Sequence, residues 1–134
     1  MAGWVPKYGE TLLIPSGPRE NQMHLHIVLN DPKPFPDYGQ HPSCALACLC
    51  SVPITGIPFD DNRVFAAGCH PFIVKDTYVS YRHFQVVSEN HLIQCVTEGT
   101  YVVQAPMPAQ YVASMIVGYG VSRRIPNYLK GLPL

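Results

Sequence analysis

The chain has 134 residues, 47% hydrophobic and only 13% charged, enough apolar surface for one folded domain and too little charge for a disordered one. Nine Lys and Arg balance nine Asp and Glu, so no global field draws the molecule to nucleic acid, and any such site must be a local patch. No apolar run of about 18 residues exists to span a membrane, and no basic start leads into an apolar stretch, so a cytoplasmic, soluble protein is expected.

Residues 1–22 are broken by glycine and proline and read as an N-terminal arm, with a short strand at Thr11-Leu12-Leu13-Ile14. Residues 23–29 (Met-His-Leu-His-Ile-Val-Leu) are β-favouring and stop at Asn30-Asp31-Pro32, which predicts a strand. Pro32, Pro34, Pro36 and Gly39 make the next stretch an exposed loop. Residues 43–52 form an almost continuous apolar run between Pro42 and Pro53, the pattern of a buried strand. A short strand at 63–67 ends at Gly68.

Residues 77–87, rich in Tyr, Val and Phe, form the clearest strand. Alternation puts Tyr78, Ser80, Arg82 and Phe84 on one face, with Thr77, Val79, Tyr81 and His83 on the other. Further strands are expected at 91–96 and 101–104. Only the C-terminus reads as helical: Val112, Met115, Ile116 and Tyr119 recur at helical spacing, Gly118 or Gly120 supplies the stop, and a shorter turn follows Pro126. Five or six short strands ahead of one or two helices predict a mainly β protein, α+β at the margin, built as a small barrel with helices packed on its end. The expected layout is one domain over 1–134, with an arm (1–22), a β barrel (23–104) and a helical tail (105–134).

Five cysteines (Cys44, Cys48, Cys50, Cys69, Cys95) form no regular framework and are expected as reduced thiols packed as small apolar groups. His24 and His26 share one strand face and could hold a metal together with Cys69 or His70. Yet no Cys-x-x-Cys pair or zinc-ribbon spacing accompanies them, so satisfied histidines, without metal or cofactor, are the stronger expectation. No Gly-rich phosphate loop, G-x-S-x-G elbow or H-E-x-x-H helix occurs, which argues against nucleotide-dependent enzymes, serine hydrolases and zinc proteases.

The densest reactive set runs from Cys69 to His83. Cleaving a phosphodiester through the ribose 2′-hydroxyl requires a base, an acid and a cation for the charge that develops on phosphate. Histidine can perform either proton transfer, and arginine offers a fork matched to phosphate oxygens. His70, Arg82 and Tyr81 are therefore the candidate catalytic residues. Lys75, Tyr78 and His83 are candidates for holding RNA, as are Arg123 and Arg124 in a second basic cluster with Lys130. The plainer alternative for each is a satisfied turn histidine, a solvated arginine or half-buried strand tyrosines.

The strand His24-Leu25-His26-Ile27-Val28-Leu29 precedes the block Gly68-Cys69-His70-Pro71-Phe72-Ile73, which runs into Thr77-Tyr78-Val79-Ser80-Tyr81-Arg82. With the tail Gly118-(x3)-Ser122-(x3)-Pro126, this order resembles a divergent branch of the PemK/MazF-like toxins over about residues 23–130. The resemblance implies an SH3-like barrel, commonly a homodimer, acting as a metal-independent endoribonuclease on single-stranded RNA and neutralised by a cognate antitoxin. The alternative is a non-catalytic protein-binding module of the same fold, such as a gyrase-poison-like toxin or a scaffold.

Overall fold

The computed structural model describes residues 3–134, the side chain of Asp37 excepted; Met1 and Ala2 of the expected arm lie outside the described residues. Six strands form one antiparallel sheet: β1 (Thr11–Pro15), β2 (Met23–Val28), β3 (Ser43–Ser51), β4 (Val64–Phe65), β5 (Thr77–Ser88) and β6 (Val102–Gln104). Two helices, α1 (Glu89–Thr97) and α2 (Ala109–Val121), complete it with short 3-10 turns at Pro36–Tyr38 and Asn127–Leu129. The strand order is β4-β5-β3-β2-β1-β6. The fold is thus mainly β, but the sheet is open: β4 and β6 are its two edges and do not pair with each other, so it is not closed into a barrel.

β3 lies between β2 and β5, and its apolar run follows from core residues packed on both of its faces. Ala45, Ala47 and Leu49 face the larger core with Ile27, Val79, Met115 and Tyr119, under α2. Cys44 and Leu46 face the smaller one with Leu12, Ile14, Val28 and Leu92, under α1. The segment expected as an arm also enters the sheet: β1 lies between β2 and β6, with Leu12 fully buried.

Two differences from the sequence reading have local causes. Residues 91–96 are helical rather than extended. Ser88, at the end of β5, caps α1 by accepting from the His91 N–H at 3.2 Å, and Gly99 in the left-handed region closes the turn. In α2, neither Gly118 nor Gly120 ends the helix, which continues to Val121. Gly118 is there for space: a Cβ would sit on the Tyr81 hydroxyl, 2.9 Å from Tyr81 Cζ and 2.7 Å from Arg63 Cγ.

The third difference decides the site. Between the pairs Leu46–Gln85 and Cys48–Ser80, β3 has only Ala47 while β5 has the four residues 81–84. This wide bulge breaks the alternation, so Tyr81 and Phe84 both enter the larger core while Arg82 and His83 are pushed out. His83 therefore joins Ser80 and Tyr78 on the α1 side of the sheet.

Candidate functional site

On the α1 side, the helix covers only part of the sheet. The remainder is an open floor hollowed into two adjoining clefts, lined by a mixture of apolar and polar side chains from β1, β2, β3, β5 and the segment 71–75. One, of about 850 Å³, is lined by Phe72, Lys75 and Tyr78 among others; the second, of about 520 Å³, by Ser16, His26, Cys48, His83 and Gln85. Gln22, His24 and Cys50 line both and so form their common wall. Among the described residues, no Asp or Glu lines either cleft, and the side chains there that can gain charge by protonation are imidazoles and Lys75.

Each of two histidines in this floor has its Nδ1 held by a serine. Ser16 Oγ lies 2.6 Å from His24 Nδ1 and also donates to the Ile14 carbonyl at 3.1 Å. With the hydroxyl proton on that carbonyl, His24 Nδ1–H donates to Ser16, and Nε2 keeps its lone pair for the cleft. Across the floor, Ser80 Oγ lies 2.6 Å from His83 Nδ1. Ser80 is buried while His83 is exposed, so this imidazole too is anchored on its inner nitrogen with Nε2 free. Partial burial, followed by the nearby His83, lowers the pKa of His24 below the usual histidine value.

His26 is different. It is 3% exposed, and its Nδ1–H donates to the His24 carbonyl at 3.0 Å. Burial outweighs that bond and drives its pKa down from 6.5 to about 4. The unfolded chain therefore binds this proton before the folded one does, and stability falls as pH drops through the window from 6.5 to about 4. We expect the His26 part of that loss to reach about 3 kcal/mol at the acid end. Urea titrations of the parent and His26→Gln between pH 7 and pH 4 check it: the variant has the flatter slope, and equal slopes would contradict the assignment.

The residues singled out from sequence are not all gathered here. Lys75, Tyr78 and His83 line the clefts, and exposed Arg82 stands beside His83 on the bulge. His70 is 2% exposed in the turn after Gly68, and both its nitrogens are engaged. Nδ1 accepts from the Phe72 N–H at 3.0 Å, which leaves Nε2–H to donate to the Ala105 carbonyl at 2.5 Å. Tyr81 is fully buried, its hydroxyl donating to the Met115 carbonyl at 2.8 Å, and burial raises its pKa. His70, Tyr81 and Arg82 thus do not converge: two hold the core together and one meets solvent. Arg123 and Arg124 are exposed just after α2, the helix packed on the opposite sheet face.

Sequence reasoning passed over Ser16, Ser80, Cys50 and the acid–base capacity of His24. The only signal was the His24-x-His26 spacing on one strand face, weighed there as a metal pair and set below satisfied histidines. Among the described residues, no group of three His, Cys, Asp or Glu side chains is arranged to hold a metal ion. No helix among them is long and apolar enough to cross a membrane. Comparison of the chain with protein-family models, with curated proteins and with solved structures finds no match.

Proposed function

We propose that the protein is a toxin-type, metal-independent endoribonuclease that cuts single-stranded RNA on the open floor between β2 and β5. The observation that carries this reading is the pair His24 and His83, each fixed through Nδ1 by a serine at 2.6 Å and each lining a cleft without carboxylates. An imidazole pair supplies the two proton transfers of transesterification. His24, with its lowered pKa, is the base that takes the 2′-hydroxyl proton; His83 gives a proton to the departing 5′-oxygen. Lys75 and Arg82 supply cations for the phosphate, and Tyr78, backed by Phe59 with ring centres 5.1 Å apart, offers a face for a base.

The order of motifs shared with PemK/MazF-like toxins supports the same reading and brings further elements to it. These are an SH3-like barrel as the parent architecture, of which this sheet would be an opened form, a homodimeric state, a cytoplasmic setting and a cognate antitoxin that covers the clefts. Exposed Phe72 and Val74, at 45% and 79%, stand beside the larger cleft and suit an apolar protein tail. The same two side chains, with a net charge of zero, favour the second reading, a non-catalytic protein-binding module.

The test is incubation of purified protein with single-stranded RNA in EDTA. Cleavage leaving 2′,3′-cyclic phosphate ends is the expected result, since attack by the 2′-hydroxyl needs no metal. Intact RNA at micromolar protein would leave the binding module as the surviving reading. A protein contact insensitive to added salt would then mark it.

A further inference from the structure

On the other side of the sheet, α2 and the tail that follows it form a groove of about 470 Å³. Ile116, Tyr119 and Gly120 line it from the helix, and Ile125, Leu132 and Leu134 from the tail. The Tyr119 hydroxyl ties the two walls together. It donates to the Leu129 carbonyl at 2.5 Å and accepts from the Leu132 N–H at 2.8 Å. The second basic cluster of the sequence stands at this groove. Lys130 lines it, and exposed Arg123 and Arg124 lie between Ser122 and Ile125, which line it too. Residues 99–134 contain no Asp or Glu, and among the described residues no carboxylate side chain pairs with any of these three cations. Gly120 is an independent sign. It is exposed within a helix, where glycine lowers stability, yet a Cβ there would meet no neighbouring atom within 4 Å. Nothing in the fold of this chain calls for a glycine at that position, in contrast to Gly118.

We propose that this groove docks an acidic segment of a partner protein, with large apolar side chains set between its carboxylates. The apolar walls take the anchors, the cations meet the carboxylates, and Gly120 lets the partner's backbone come close. Charge selects this occupant over others. In a two-fold contact between copies of this chain the groove would meet itself, cation against cation. An RNA strand would satisfy the cations but brings no aliphatic side chains to the isoleucine and leucine walls. The proposal does not rest on the nuclease reading, whose clefts lie on the α1 side.

The experiment selects random displayed peptides of about a dozen residues on the full-length protein. Enriched peptides should carry Asp or Glu beside Leu, Ile or Phe. The double variant Arg123→Glu/Arg124→Glu should bind them at least about tenfold more weakly. Gly120→Leu tests the groove without touching charge. Its side chain favours the helix and fills the space the anchors need, so binding should fall about tenfold or more in a protein that still folds. Circular dichroism checks both variants. Enriched peptides without excess carboxylates, or bound equally by either variant, overturn the proposal, as does a selection that enriches nothing. A labelled single-stranded RNA that loses affinity on the same charge reversal, with no peptide enriched, assigns the cations to phosphate instead.

Discussion

If the proposed endoribonuclease reading holds, replacing His24 or His83 with alanine is expected to lower the rate of RNA cleavage at least about a hundredfold, and the His24 variant to lose the acid limb of the pH profile. On that reading the parent rate is expected to fall on the acid side, because His24 must be neutral to accept the 2′-hydroxyl proton. Its lowered pKa places that fall below the pH where a free histidine would titrate. Without His24 the acid limb disappears. Without His83 the leaving oxygen loses the imidazole that would give it a proton, so the loss is expected in the rate itself. Initial rates on a fluorescent oligonucleotide from pH 4.5 to 9 check both, with circular dichroism confirming the fold.

The contrast with His70→Ala sharpens this test. That change removes from a buried position a donor to the Ala105 carbonyl after β6 and an acceptor from the Phe72 N–H of its own turn, and should cost about 2–4 kcal/mol of stability. Below its melting temperature the variant should cut RNA at nearly the parent rate. Parent-like cleavage by both His24→Ala and His83→Ala would remove the basis for the nuclease assignment.

Gly118→Ala is the substitution expected to harm the fold most for its size, by about 3 kcal/mol. A single methyl there meets the Tyr81 ring and hydroxyl and the Arg63 stem at once. None of the three can easily withdraw. Tyr81 is fully buried and bonded to the Met115 carbonyl, and Arg63 Nε donates to the Ser114 carbonyl at 2.9 Å. Tyr81→Phe removes the most severe contact and leaves Cζ. The double variant should therefore recover about 1 kcal/mol relative to additive losses, measured by urea denaturation in a double-mutant cycle. Strict additivity would mean that helix and strand do not meet as described.

Much of the sheet was legible because its strands obey short-range rules. The apolar run between Pro42 and Pro53 became β3, and the Tyr/Val/Phe segment became β5, within a residue or two. What escaped was set by contacts distant in sequence. Gly118 reads as a helix stop until Tyr81 is seen against it. Ile93 and Val96 favour a strand locally, but the Ser88 cap and the burial of Leu92 against Leu12 and Leu46 decide for a helix. The candidate site was the least legible part. Strict alternation separates His83 from Ser80, and only the bulge opposite Ala47 reunites them at 2.6 Å. His70 and Tyr81 carry reactive groups in sequence, yet burial engages those groups with backbone carbonyls.

The two rims of the sheet also bear on how the protein behaves at high concentration. A molecule without net charge has little long-range repulsion to keep copies apart, and an unpaired strand offers a template for cross-molecule pairing. Here the outermost strands are two and three residues long, β4 and β6. Of the long ribbons, β3 lies between β2 and β5, whereas β4 pairs with β5 only at Thr77 and Tyr78. Beyond Tyr78 the free rim of β5 is interrupted by the bulge at residues 81–84, which limits the ladder that another copy can build on it where electrostatics give no help.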